Sequence, residues 1–512
     1  MSTSTIWTRF QEVAKQLPEQ PAIVQGDRTW TFSELGQCAE AFAGHVAALG
    51  LRQRDRILFY LENRLEMAAA LLGAWAYGTV PVLVHATAPA THVEHAAELT
   101  QSRLIVIDSK SQLLPDFNGV VLNIETSSWR SSSSAPTSHI ISADPASIVF
   151  TSGSTGLPKG VTQSHYNLLL GCETVATYLG YRSNDKIVCP IPWTFDYGFG
   201  QLLSTLCRGL MHILPEAPNP FGLCAAIKDH RPTVLPGIPS WFAYLLRGVS
   251  PFYETDISSI RIVTNTGGTV PSAILNDLLQ AFSNSKIFLN YGMTETYRST
   301  YLDPALVREY PNSIGNPMPG VDVVIVREDG TLADPGEIGE LVHRGNCICL
   351  GYWGNPEQTA QAIRPDPVWS QAGFNNQRAL FTGDLGHKDE AGFIYFKARK
   401  DHMIKSMGVR VSPGEIEDLL HHSGLVRNVA VIGLPHEMAG EWVVAAIEPI
   451  DDRPVEDIMR ALKVHARTCM SPHMRPQDYI FFDVLPKTHS GKNDYQAIRR
   501  FCADKSGSFL LE

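Results

Sequence analysis

The sequence predicts an α/β protein of two domains, a large one over residues 1–400 and a small one over residues 401–512. Three observations carry that expectation. In the first half, short β-branched apolar runs alternate with helical patterns, as strands and helices do around a parallel sheet. From about Val323 the pattern tightens to short strands joined by turns, which marks a mainly β subdomain inside the large domain. After residues 397–402 a fresh α/β pattern begins, long enough for an independent small domain. At 512 residues with 44% apolar content, the chain also exceeds the size at which one core stops growing.

Along the chain, Asp55–Tyr60 reads as a strand, Leu65–Ala76 as a helix, and Val80–Val84 and Leu104–Asp108 as further strands. The serine-rich stretch 127–134 interrupts them as an exposed connection. Val323–Arg327 and Gly339–His343 read as strands separated by a turn at Glu328, Asp329 and Gly330, and Gly392–Phe396 follows as another. In the last part, helix Pro413–His421, strands Val426–Leu434 and Val443–Pro449, and helix Val455–Arg467 are expected. Cys347 and Cys349 read as alternating strand residues, since no further Cys or His stands at ligand spacing.

The balance of 42 basic against 52 acidic side chains, net −10, argues against a nucleic-acid-binding surface spread over the protein. The first residues lack a cationic segment followed by an apolar core, and no stretch approaches the roughly 20 apolar residues of a membrane span. The expectation is a cytoplasmic protein with no nucleic-acid or membrane partner. Nine scattered cysteines fit reduced thiols better than a disulfide framework.

Four segments carry chemistry. After the apolar run Ile148, Val149, Phe150 comes a loop in which Ser152, Ser154 and Thr155 offer hydroxyls, Gly153 and Gly156 allow close backbone approach, and Lys159 supplies charge. Such a loop suits phosphate; it is not of the Walker type, because Pro158 and Gly160 occupy positions that motif reserves for glycine and a hydroxyl. A flexible surface loop would have the same composition. Asn290 to Glu295 follows an apolar strand and sets an aromatic ring, a glycine, a hydroxyl and a carboxylate close together. One carboxylate suffices as a protein ligand for Mg²⁺ beside phosphate, although a strand end with a capping Thr-Glu reads the same way. Asp384, behind a Thr-Gly turn, can accept from vicinal ribose hydroxyls, with Arg399 nearby. Residues 485–492 end in Lys492, which by itself also fits an exposed basic loop.

Taken in order, residues 151–160, 291–295, 336–340, Gly351 with Tyr352, 382–384, 399–401 with 404–410, and 486–492 resemble the core motifs of the ANL superfamily of adenylate-forming enzymes. That group comprises acyl-CoA synthetases, peptide-synthetase adenylation domains and luciferases. The resemblance covers nearly the whole chain, beginning at Trp30 to Leu35. It implies the ANL fold, a large N-terminal domain with α/β subdomains and a β subdomain, followed by a small mobile α+β domain. It also implies condensation of a carboxylate with ATP, using Mg²⁺, to an acyl-adenylate and pyrophosphate, and transfer of the acyl group to a thiol. Ala398 and Tyr495 depart from the family, which usually has glycine and arginine there.

By the same resemblance, Lys492 bridges the carboxylate and the α-phosphate, Thr151 and residues 152–156 with Lys159 cradle the outer phosphates, Thr294 contacts the α-phosphate, and Glu295 holds Mg²⁺. Tyr291 flanks the adenine, Gly267 also belongs to the ATP site, Asp384 and Arg399 take the ribose, and Asp401 is the hinge. The family's acid-pocket positions fall on Asp196, Tyr197, Ser240, Thr264, Thr266, Arg298 and Ser299.

Asp196 stands among Trp193, Phe195, Tyr197 and Phe199 with no cation beside it in the sequence, and a carboxylate in aromatic surroundings is costly unless a cation pairs with it. A substrate ammonium is one partner, and the segment resembles the Phe-Asp-x-Ser motif of amino-acid adenylation domains, with Gly198 in place of serine. Capping of a helix near Tyr197 is the other reading. The chain continues for 20 residues beyond Lys492 without a carrier-attachment motif, so the thiol is expected in trans. Lys463, His465, Arg467, His473 and Arg475 form a basic cluster suited to an acidic carrier or to coenzyme A, or simply a solvated face. The leading expectation is an amino-acid activating enzyme that loads a phosphopantetheinyl carrier protein; the rivals are an acyl-CoA synthetase using free coenzyme A and a catalytically silent nucleotide-binding protein on the same fold.

Overall fold

The computed structural model describes residues 4–111, 117–131, 138–151, 158–400, 403–406, 409–436, 440–451, 453–488 and 491–506. Its frame is a pair of mostly parallel sheets. One has seven strands, in the order Gly351–Tyr352, Lys159–Ser164, Pro145–Thr151, Val80–Leu83, Arg56–Tyr60, Leu104–Ile107, Val120–Asn123. The other has nine, with Lys286–Tyr291, Ile262–Asn265, Val234–Gly237, Lys186–Val188 and Met211–Leu214 as consecutive neighbours. One core cluster contains side chains of both sheets, among them Phe59, Leu83, Val234 and Phe288.

Helix Leu65–Tyr77 shows why the sheets can share that core. Apart from Glu66, which is held by Arg28 and Arg130, its sequence is apolar, and twelve of its thirteen residues are buried, as expected for a helix with no polar stripe to offer water. Helix Phe32–Ala48, which packs on it, is instead started by a reciprocal cap: the Thr31 side chain accepts from Glu34 N and the Glu34 carboxylate accepts from Thr31 N.

The β subdomain is a five-stranded antiparallel sheet of Val321–Val326, Gly339–Gly345, Arg378–Lys388, Ile363–Pro365 and Ile394–Arg399. The turn at residues 328–330 closes with Gly330 N donating to Arg327 O. Cys347 and Cys349 are not strand residues. The strand stops at Gly345, and Cys347 adopts φ +68° in the turn that follows, although both thiols are buried as the alternation suggested.

The last sheet begins at Ile404 and combines Ile404–Ser406, Val409–Val411, Val426–His436, Gly440–Pro449 and Asp478–Phe481 over helices Pro413–His421 and Val455–Cys469. The expected hinge, Asp401, lies outside the described residues. This small domain is fastened to the large one by polar contacts. Tyr244 donates to the Glu448 carboxylate, Ser272 N and Oγ donate to Asp418, and Ser240 Oγ donates to Gly491 O. All nine cysteines stand as free thiols, and among the described residues no helix is long and apolar enough to cross a membrane.

Candidate active site

The parallel strands Val234–Gly237, Ile262–Asn265 and Lys286–Tyr291 run side by side in matched register. Their carboxyl ends feed Ile238, Thr266 with Gly267, and Gly292 into one crevice, where open parallel sheets hold ligands. Gly267 has φ +87°, and a Cβ placed on it would stand 3.2 Å from Lys492 Cε and 3.6 Å from Phe195 Cζ. The lysine of the small domain therefore lies directly on this turn, its Nζ 5.4 Å from the Phe195 ring centroid. Burial pushes the Lys492 ammonium pKa down, Asp196, Asp384 and Glu295 pull it up, and Arg399 adds a downward push. Four distant parts of the chain thus supply the charges around one ammonium.

Glu295 belongs to the turn after strand Lys286–Tyr291. Its Oε1 accepts from the Tyr352 hydroxyl at 2.9 Å, and the Tyr352 ring in turn carries Lys159 Nζ 5.3 Å from its centroid. Burial raises the Glu295 pKa and the Tyr352 hydrogen bond lowers it, leaving it above the usual range. A half-buried carboxylate next to a lysine-bearing loop is suited to a divalent cation that accompanies phosphate. Thr294 is buried beside it, its carbonyl held by Gln163 Nε2 at 2.8 Å. Thr151 and Lys159 are cross-strand partners and bracket the loop expected to hold phosphate. Ser152, Gly153, Ser154, Thr155 and Gly156 of that loop lie outside the described residues.

Asp384 and Arg399 face each other across adjacent strands, with Arg399 Nη1 3.6 Å from Asp384 Oδ1. The Tyr291 hydroxyl donates to Asp384 Oδ2 at 2.6 Å, so ring and carboxylate form one wall. Asp384 is 5% exposed, held by Thr382 Oγ1 accepting from its N–H. Ala398 sits buried in the strand before Arg399, and Tyr495 donates to the Glu417 carboxylate in the small domain; neither departure touches the crevice.

Asp196 opens helix Asp196–Arg208 at its first helical position; Phe195 is the cap residue and supplies no side-chain bond, so the simple capping reading does not describe Asp196. Burial raises its carboxyl pKa, while Lys492 and then Arg298 pull it down. No cation stands near this carboxylate in the sequence; the fold brings two. Gly198 is required by packing, since a Cβ there would lie 2.2 Å from Pro192 O. Tyr197 is buried and donates to Thr264 O at 2.8 Å. Thr264 Oγ1 accepts from Asn290 Nδ2, Thr266 Oγ1 is buried without a described partner, and Arg298 lies 5.0 Å above the Tyr197 ring.

Two of the expected pocket positions are occupied elsewhere. The Ser240 hydroxyl is bonded to Gly491 O and docks the lysine loop. Ser299 Oγ is bonded to His343 Nδ1 and Thr296 in a fully buried cluster. In the basic cluster, His465 and Arg475 bond to backbone carbonyls of their own domain, while Lys463 and Arg467 stay exposed. Sequence reasoning missed Tyr178, whose hydroxyl donates to Asn290 Oδ1 at 2.7 Å. It also missed Tyr244 with Glu448. No local pattern marks either pair, because each joins residues far apart in the chain.

The chain matches the family model of AMP-binding enzymes over residues 10–353 and that of the AMP-binding enzyme C-terminal domain over residues 415–492. It is 27% identical to delta-poly-L-ornithine synthetase of Acinetobacter baumannii over 96% of its own length, but spans only 36% of that protein, and 14% of surfactin synthase subunit 2 of Bacillus subtilis. It is 28% identical to feruloyl-CoA synthase of Amycolatopsis sp., covering 95% of this chain and 97% of that one. Its fold matches o-succinylbenzoate CoA synthetase of Bacillus subtilis, solved with an acyl-adenylate intermediate, at TM-score 0.85 and 24% identity over 98% and 99% of the two chains.

Proposed function

Because the chain belongs to the AMP-binding enzymes, a family of adenylate-forming ligases, we propose that it joins a small carboxylic acid to AMP in this crevice and then hands the acyl group to a thiol. The observation that carries the reading is the seat of Lys492 on Gly267, within the influence of Asp196, Asp384 and Glu295. An ammonium there offsets the repulsion between an incoming carboxylate and a phosphate and stabilises the charge that grows as they react.

In the first step a carboxylate oxygen of the acid bonds to the α-phosphorus of ATP and the bond to the β-phosphate bridging oxygen breaks, releasing pyrophosphate. Lys159 and the loop it closes hold the outer phosphates, with Thr294 at the α-phosphate. Asp384 accepts from the ribose hydroxyls with Arg399 beside it, the Tyr291 ring flanks the base, and Gly267 leaves room beside Lys492. Glu295 fits Mg²⁺, which when bound neutralises phosphate charge. In the second step a thiol sulfur, its proton released to water, bonds to the acyl carbon while the bond from that carbon to the AMP phosphate oxygen breaks and AMP departs. Withdrawal of Lys492 by rotation of the small domain about Asp401 opens the path for that thiol.

For the acid, Asp196 supports an amino acid: once Lys492 and Arg298 engage anions of the substrates, its half-buried carboxylate is left for the substrate ammonium. For the acceptor, a carrier protein in trans follows from that reading. Coenzyme A is the second reading, favoured by a relative of matching length that is named a CoA synthase. Acid-dependent exchange of labelled pyrophosphate into ATP, run over amino and plain carboxylic acids and followed by discharge with coenzyme A or loaded carriers, tests all three statements. Absence of exchange with every acid offered would refute the adenylating reading; discharge by coenzyme A alone would select the second acceptor.

A further inference from the structure

Arg298 is 3% exposed, yet its Nε and Nη1 meet no acceptor among the described residues. Other shielded arginines of the large domain are paired: Arg64 with Glu66, Asp108 and Glu125, Arg261 with Asp185, and Arg344 with Asp322 and Asp366. What Arg298 does have is weak by comparison. The Tyr178 hydroxyl, which lies within its electrostatic reach, gives its proton to Asn290, and the Arg298 guanidinium carbon lies 5.0 Å from the Tyr197 ring centroid. Burying a charge with open donor positions is costly, and an anionic ligand that fills them offsets that cost.

Its position says which ligand. A Cβ on Gly292 would stand 2.8 Å from Arg298 Cα and 3.3 Å from its Cδ, so the side chain begins against the Tyr291 to Glu295 turn and ends over Tyr197, next to Asp196. Thr266 Oγ1, 2% exposed, is a second buried polar atom in this region without a described partner. Lys492 and Arg298 both act on Asp196, which gives the pocket a cation, an anion and a second cation. The complementary molecule carries a carboxylate, an ammonium and a second anionic group. A guanidinium fork fits a carboxylate in two parallel hydrogen bonds.

We propose that Arg298 binds a second carboxylate of the substrate, distinct from the one activated at Lys492, so that the acid is an amino dicarboxylic acid. This rests on the reading that an acid is activated in this crevice. The test is pyrophosphate exchange with matched pairs, aspartate against asparagine, glutamate against glutamine and succinate against butyrate, on the full chain and on Arg298→Met and Arg298→Lys.

The wild type is expected to prefer the acidic member by about 10²-fold in kcat/KM, the scale of a hydrogen bond to a charged partner. Arg298→Met should lower that ratio to below about 10-fold, with Arg298→Lys between them. Because the ratio is read first on the wild type, a variant that fails to fold does not shelter the idea. Neutral members used as well as acidic ones, or a ratio unmoved in a folded Arg298→Met, would overturn the role of Arg298 and leave adenylation standing. Exchange with no acid of either kind would overturn adenylation itself. Preference for succinate over aspartate would overturn the amino part of the assignment.

Discussion

Removing one hydroxyl should separate the two half-reactions. Ser240 and Tyr244 lie four residues apart on helix Pro239–Arg247, hence on one face. The first holds Gly491 O and the second reaches Glu448 Oε1 and Oε2 at 3.0 and 2.9 Å. Glu448 is fully buried, and its other contacts are Leu485 N at 3.3 Å and Arg427 Nη1 at 3.8 Å, so the tyrosine is its shortest bond. Tyr244→Phe keeps the ring and deletes that bond. A hydrogen bond to a charged group contributes about 1.5–3 kcal/mol, which shifts the balance between docked and undocked small domain by about 10- to 100-fold. Only the docked form seats Lys492 on Gly267, so acid-dependent pyrophosphate exchange should fall by up to that factor while transfer from preformed acyl-adenylate to the thiol is undiminished. Exchange at the wild-type rate, or equal loss in both half-reactions at unchanged melting temperature, would refute the clasp.

Lys492→Ala is expected to lose adenylation by about 10²-fold or more, and near wild-type exchange would remove Lys492 from the chemistry. Burial holds the Lys492 pKa below that of an ordinary lysine and Asp196 raises it; the ammonium is the working form, so exchange should decline as pH rises through the lowered value. Asp196→Asn should move this alkaline limb to lower pH, and a shift to higher pH would contradict the assignment. Gly198→Ser, which introduces the serine found in amino-acid adenylation domains, should destabilise the fold by about 1–3 kcal/mol because its Cβ meets Pro192 O; an unchanged denaturant midpoint would show that the backbone yields. Asp185 is 2% exposed and accepts from Arg261, Thr233 Oγ1 and Arg182 N. Burial raises its pKa, but these bonds hold it below the usual carboxylate value, so its contribution is present above about pH 4 and lost as pH falls through the lowered value. Asp185→Ala should cost about 3–5 kcal/mol in chemical denaturation at neutral pH.

Local signals located the elements well where they were self-sufficient. Helix Pro413–His421 has the bounds its sequence predicts, with Pro413 at its first position, where a missing N–H costs nothing. Strand Val426–His436 outran its expected end at Leu434, because pairing with Gly440–Pro449 continues through Pro435 and His436. At Cys347 and Cys349 alternation of burial survives without a strand, since a turn with one residue at positive φ also buries both thiols. In the site, motif residues such as Lys159, Glu295 and Asp384 were legible from type and order. The contacts around them were not: Tyr352, the partner of Glu295, was seen only as part of a motif, and Tyr178, the partner of Asn290, was not seen at all.

The linear chain by itself determined the alternating α/β frame, the change to a β sheet, the separate final sheet and the identity of the charged groups. These follow from periodicity and residue type, which act between near neighbours. Whether Asp196 is alone or flanked by cations, whether Arg298 is paired, and where Lys492 rests were decided only by the folded arrangement. The reason is electrostatic: the cost and reach of a charge depend on its burial and on every other charge within a few ångströms, and at this crevice those neighbours come from distant segments of the large domain and, in Lys492, from the small one.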